Sequence, residues 1–168
     1  MLQGRQNLVK WGLYGLFLCV FCILQISLPL RAAGVHAIPL LPMAISAAVF
    51  EGPRGGAVYG FIAGLLYDAF TPGIDVFFSV YLLLVCFTVG IAVRRWFRIS
   101  FVTALVWSSL AHVGACLLYF LFFILIPGRA GPMALVQVAF PELLLTIVYL
   151  PLAYIISKGI HKRIEVKY

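Results

Sequence analysis

Apolar residues occupy this chain in long uninterrupted blocks, and the short stretches between them are rich in glycine, proline and arginine. Six blocks read as helices, at about 11–28, 35–50, 53–70, 76–93, 100–126 and 135–157. Each is roughly long enough to cross a hydrocarbon layer of ~30 Å at 1.5 Å per residue. The breaks fall at Pro29, Glu51-Gly52-Pro53, Thr71-Pro72-Gly73, the basic run Arg94 to Arg98, and Pro127 to Pro132. The second block is short and carries Pro39 and Pro42, so the pattern predicts a proline-broken helix there, tolerated where neighbours satisfy the freed carbonyls. The pattern thus predicts an all-α integral membrane protein, one transmembrane domain over residues 1–168 with six crossings.

Composition points the same way. Of the 168 residues, 64% are hydrophobic and 10% charged, whereas a water-soluble surface needs roughly 25% charge. Twelve Lys+Arg against five Asp+Glu leave a net charge of +7, which in a membrane protein reflects basic cytoplasmic loops rather than nucleic acid. With six crossings, one side collects Arg5, Lys10, Arg54, Arg94, Arg95, Arg98, Lys158, Lys162, Arg163 and Lys167, and the other only Arg31 and Arg129. Both termini are therefore expected in the cytoplasm. Arg94, Arg95, Arg98, Lys158, Lys162 and Arg163 would form an inner basic rim against anionic lipid. Arg5 and Lys10 ahead of an apolar run resemble a signal peptide, but the run to Leu28 is too long and no clean cleavage site follows. It reads as a retained first helix.

The candidate chemistry is sparse. Gly56, Gly60 and Gly64 recur every four residues and Asp68 continues the series, which places all four on one helical face. Such a seam lets helices approach closely in lipid, either against a neighbour in this chain or against a partner's helix. Asp68 falls at the outer end of its helix, where the macrodipole disfavours an anion. A salt bridge or loop clamp with Arg31 or Arg129, a partner contact, or solute or proton handling would each account for it. Asp75, just before the fourth block, reads as its N-cap. Glu142 follows Pro141, so either the last helix restarts at that proline or the glutamate lies within the membrane.

His112, with Ser108 and Ser109 one turn earlier, suggests a small hydrogen-bonded cluster, and Gln25 and Gln137 are isolated. No spacing supplies a metal site, a nucleophilic triad or a cofactor motif, so neither catalysis nor a bound cofactor is expected. The four cysteines lie in apolar blocks and behave as small hydrophobes. Cys19-Val20-Phe21-Cys22 matches a redox spacing but has no group beside it to activate a thiol.

From Leu41 to Arg98 the residues resemble the rod shape-determining protein MreD family. The resemblance rests on Glu51-Gly52-Pro53-Arg54-Gly55-Gly56, Gly60-Phe61-x-x-Gly64-Leu65-Leu66-x-Asp68, the Pro-Gly turn, and Arg94-Arg95-Trp96-Phe97-Arg98. It is close over about 49–98. Ile74-Asp75-Val76 departs from the glycine expected there. The resemblance implies a six-helix bundle similar to the S components of energy-coupling-factor transporters. It also implies a bacterial inner-membrane protein that binds the bitopic periplasmic protein MreC. Through MreC it would connect MreB filaments to RodA and a class-B penicillin-binding protein in peptidoglycan synthesis and cell shape. The alternative is a small-solute-binding subunit of a transporter, which needs convergent polar groups around a cavity.

Overall fold

The computed structural model describes the backbone of residues 2–27, 38–70, 76–122 and 133–165. Side chains are described over 9–25, 38–70, 76–122 and 140–162. The elements are all helical: α1 (Leu2–Ser27), α2 (Leu40–Phe70), α3 (Phe77–Arg95), α4 (Phe101–Phe120) and α5 (Met133–Glu165). Among the described residues, three stretches, Phe77–Arg95, Phe101–Phe120 and Phe140–Lys162, are long and apolar enough to cross a membrane.

The second and third expected helices are the two arms of α2. They meet at Gly52, whose φ of 77° and ψ of −167° fall in a region open essentially to glycine alone. Pro53 follows and removes a backbone donor. Gly56 and Ala48, eight residues apart, would stand ~12 Å apart on a straight helix. A Cβ on Gly56 would instead lie 2.7 Å from the Ala48 Cβ. The chain therefore doubles back at Gly52, and the two arms pack against each other.

The N-terminal arm is the centre of the molecule. Every residue from Leu40 to Phe50 is buried, and α2 touches each of the other four helices. Its prolines do not break it. Pro39 precedes the helix, and Pro42 lies in the first turn, where a backbone N–H has no helical acceptor. Because the helix starts at Leu40 rather than near 35, this arm is only about 18 Å long.

Other expected helix bounds change. The last helix does not restart at Pro141; α5 runs through both Pro141 and Pro151 from Met133 to Glu165. It also extends past the expected end near 157, carrying the basic stretch from Lys158 to Arg163 as helix. Likewise α1 begins at Leu2, well before the expected start near 11, while α4 runs from Phe101 to Phe120 and on through a π turn at 121–122, the rest of the expected block to 126 lying outside the described residues.

The outward faces are apolar. Val102, Val106, Leu110, Val113 and Leu117 form an exposed stripe on α4, and Leu144, Val148, Leu152 and Ile155 form one on α5. Leu16, Val20 and Ile23 do the same on α1. Contiguous apolar surface on this scale is unsuited to water. The interior is apolar too, with Tyr14, Phe21, Leu41, Met43, Leu82 and Leu150 fully buried, and among them Ala44, Ser46, Ala47, Ala48, Ser79, Ala111 and Ala115 are small residues that suit close helix contact.

Candidate functional site

The sequence resemblance falls on the α2–α3 pair, and the structure gives its residues specific tasks. Gly56, Gly60 and Gly64 face α3. A Cβ on Gly60 would meet Cys86 Sγ and the Leu82 carbonyl oxygen at 2.7 Å, and one on Gly64 would run into the backbone of Phe78 and Ser79. At the kink, Gly90 of α3 sits so near that an added Cβ would come 2.5 Å from Pro53. The two helices run antiparallel in register, with Gly64 against Ser79, Gly60 against Leu82 and Cys86, and Gly52-Pro53 against Gly90. The seam is therefore two-sided. Its α3 half places the small residues Ser79, Cys86 and Gly90, with the Leu82 carbonyl between them, at helical spacing but lacks the obvious glycine repeat.

Asp68 ends this seam and caps α3. One carboxylate oxygen accepts the Phe78 N–H at 3.1 Å, and the other accepts the Ser79 N–H at 2.9 Å and the Ser79 hydroxyl. Phe78 and Ser79 are the second and third residues of α3, so the carboxylate satisfies two of the N–H groups that every helix start leaves open. The electrostatic puzzle disappears with this contact. An anion is disfavoured at the C-terminal end of its own helix but favoured at the N-terminal end of the next. The residue at the cap position itself is Val76, not Asp75, and its side chain makes no capping bond. Val76 holds φ 61°, a conformation uncommon and strained for a β-branched residue. Arg31, Arg129 and Asp75 lie outside the described residues.

At the opposite end of the seam, Glu51 joins three helices. Its carboxylate pairs with Lys10 of α1, accepts a hydrogen bond from the Tyr14 hydroxyl at 3.1 Å, and lies 3.7 Å from His161 Nδ1 of α5. The Tyr59 hydroxyl donates to the Tyr14 carbonyl at 3.0 Å. Arg94 donates to the Glu51 carbonyl at 3.3 Å, across the kink that glycine leaves open. The rings of Phe50, Tyr154 and His161 pack around this cluster. The Glu51 side chain is 10% exposed, and a carboxylate so buried is held by its partners. In the sequence Glu51 stands at a break and opens the motif of the resemblance, with nothing beside it to show an ion pair. The sign that it was more is one acidic residue at a helix reversal in a chain with just five.

Of the inner basic rim, Arg94 is committed to the kink. Arg95, Arg98, Lys158 and Lys162 are exposed, with Lys158 standing over the Tyr154 ring. The side chain of Arg163 lies outside the described ones, as does that of Gln137. Gln25 is partly buried.

A second polar set lies between α4 and α5. Buried His112 has its Nε2 3.5 Å from Cys116 Sγ. Glu142 of α5 brings a carboxylate to the same place, so that the three donor atoms lie within 4.8 Å of one another. No spacing in the sequence announced this set, because its third member comes from another helix. Glu142 thus lies inside α5 beside α4, not in the first turn of a helix that restarts at Pro141. All four cysteines are free thiols, and Cys19 is exposed while Cys22 is buried.

Comparison with protein-family models, with curated proteins and with solved structures finds no match to this chain.

Proposed function

We propose that the chain is a non-enzymatic, multi-pass scaffold of the bacterial inner membrane, acting in the cell-elongation machinery as the MreD family does. In this reading the two arms of α2 count as separate segments, giving six, with both termini in the cytoplasm. The Glu51 end of the bundle, with Lys10, Arg94, Arg95, Arg98, Lys158 and Lys162, then faces the cytoplasm, as the positive-inside rule requires. The partner bound in the membrane plane and periplasm is an MreC-like bitopic protein. RodA and a class-B penicillin-binding protein join through it, and MreB indirectly.

The observation that carries the reading is the use made of the residues behind the resemblance. Gly52, Gly56, Gly60, Gly64, Asp68 and Arg94 all build one close-packed helical unit. Such a unit offers a rigid apolar body for partners rather than a reaction centre, and the exposed stripes of α1, α4 and α5 supply the surface. Purification of the tagged chain from its native membrane in mild detergent tests it. An MreC-like protein is expected to co-elute in stoichiometric amount. A stoichiometric bound metabolite with no protein partner would instead support the solute-binding reading.

A further inference from the structure

We propose that His112, Cys116 and Glu142 form a binding site for a divalent transition-metal ion of the zinc class, joining α4 to α5. Zinc holds nitrogen at ~2.0–2.1 Å and thiolate sulfur at ~2.3 Å in a tetrahedral arrangement, which puts two such ligands roughly 3.5 Å apart. Cys116 Sγ and His112 Nε2 are 3.5 Å apart, one helical turn from each other on the same face of α4. The Glu142 carboxylate completes the set from α5, all three donor atoms lying within 4.8 Å of one another. A movement of roughly 1 Å by the flexible carboxylate brings it to ion distance, well within the staggered freedom of a glutamate side chain.

Charge and ligand type argue the same way. A thiolate, a carboxylate and a neutral imidazole around a doubly charged cation sum to zero, the balance that apolar surroundings tolerate best. Sulfur and imidazole favour zinc-like ions over magnesium or calcium, which take oxygen ligands. His112 is 1% exposed, whereas Cys116 and Glu142 are half-buried. Ser108, one turn before His112 on the same face, is buried with its hydroxyl oxygen lacking a hydrogen-bond partner among the described residues. A buried hydroxyl in that state is open to a bridging water, the kind of outer contact that orients a metal site. The proposal is independent of the cell-elongation reading.

Cobalt titration tests it. The full chain, purified in mild detergent on a tag without histidine and stripped by chelator, is titrated with Co²⁺ and followed by absorption. The expected result is a thiolate-to-cobalt charge-transfer band and tetrahedral d–d bands that saturate at one ion per chain and are displaced by Zn²⁺. Cys116→Ser should abolish the charge-transfer band. His112→Ala and Glu142→Gln should each weaken binding by at least about tenfold, since losing even an outer contact costs that much. Cys19→Ser should bind as the unaltered chain does. No saturable band in the folded unaltered chain, or a band that survives Cys116→Ser, would overturn the proposal. If Cys116→Ser does not fold, Glu142→Gln decides, because unchanged affinity there overturns it equally.

Discussion

A carboxylate at the C-terminal end of a helix is electrostatically misplaced unless something positive meets it, and at Asp68 the start of α3 does so. Asp68→Asn should therefore destabilise the folded chain by roughly 1–2 kcal/mol, through loss of charge-assisted bonds to two N–H groups and a hydroxyl. Thermal unfolding in detergent checks this, and removing an exposed charge, as in Arg98→Gln, should have little effect. Val76 predicts the opposite sign. Its left-handed backbone costs of order 1–3 kcal/mol, which glycine avoids. Val76→Gly should stabilise by about 1 kcal/mol once the added freedom of the unfolded chain is subtracted. A glycine expected near this turn from the sequence resemblance thus has a physical reason. The pairing of Asp68 was not legible, because the nearest countercharges by sequence were arginines, whereas the partner is backbone.

At the scale of elements, the α2–α3 pair depends on closeness that only small residues allow. Gly60→Leu would place a branched side chain where Cys86 Sγ and the Leu82 carbonyl already sit within contact of a bare Cβ. It should cost more than about 3 kcal/mol, since overpacking here meets backbone rather than a flexible side-chain tip. The expected readout is loss of monodisperse protein in mild detergent, whereas Gly12→Leu, at a position with open space around it, should be tolerated. The glycine repeat announced one half of this seam plainly. The fate of Pro39 and Pro42 was less legible, since a proline reads as a breaker until the helix start is known to lie beside it. Likewise, Pro141 could mark a start or lie inside α5, because the local pattern fits both.

For the whole molecule, the deciding arrangement is apolar on both sides: a core of large apolar side chains with small residues at the close helix contacts, apolar stripes outside, and charge gathered where Glu51 binds Lys10, Tyr14 and the neighbourhood of His161. Glu51→Gln should loosen α1 and α5 from the kink and cost roughly 3 kcal/mol, as breaking a largely buried ion pair does. Lower thermal stability with unchanged helical content would show it. The all-helical character and the apolar blocks were legible from composition and periodicity alone. Contacts that join helices distant in sequence, such as Glu51 with Lys10 or His112 with Glu142, leave no local trace, so they emerge only when the chain is folded. The central claim, a scaffold of cell elongation built on this bundle, is tested most directly by depleting the protein in its native bacterium and measuring cell length-to-width ratio by microscopy. Rods that round up, and that regain their shape with the unaltered chain or with Cys19→Ser/Cys22→Ser, are the predicted result. Cells that keep their rod shape while becoming dependent on an added vitamin would contradict it.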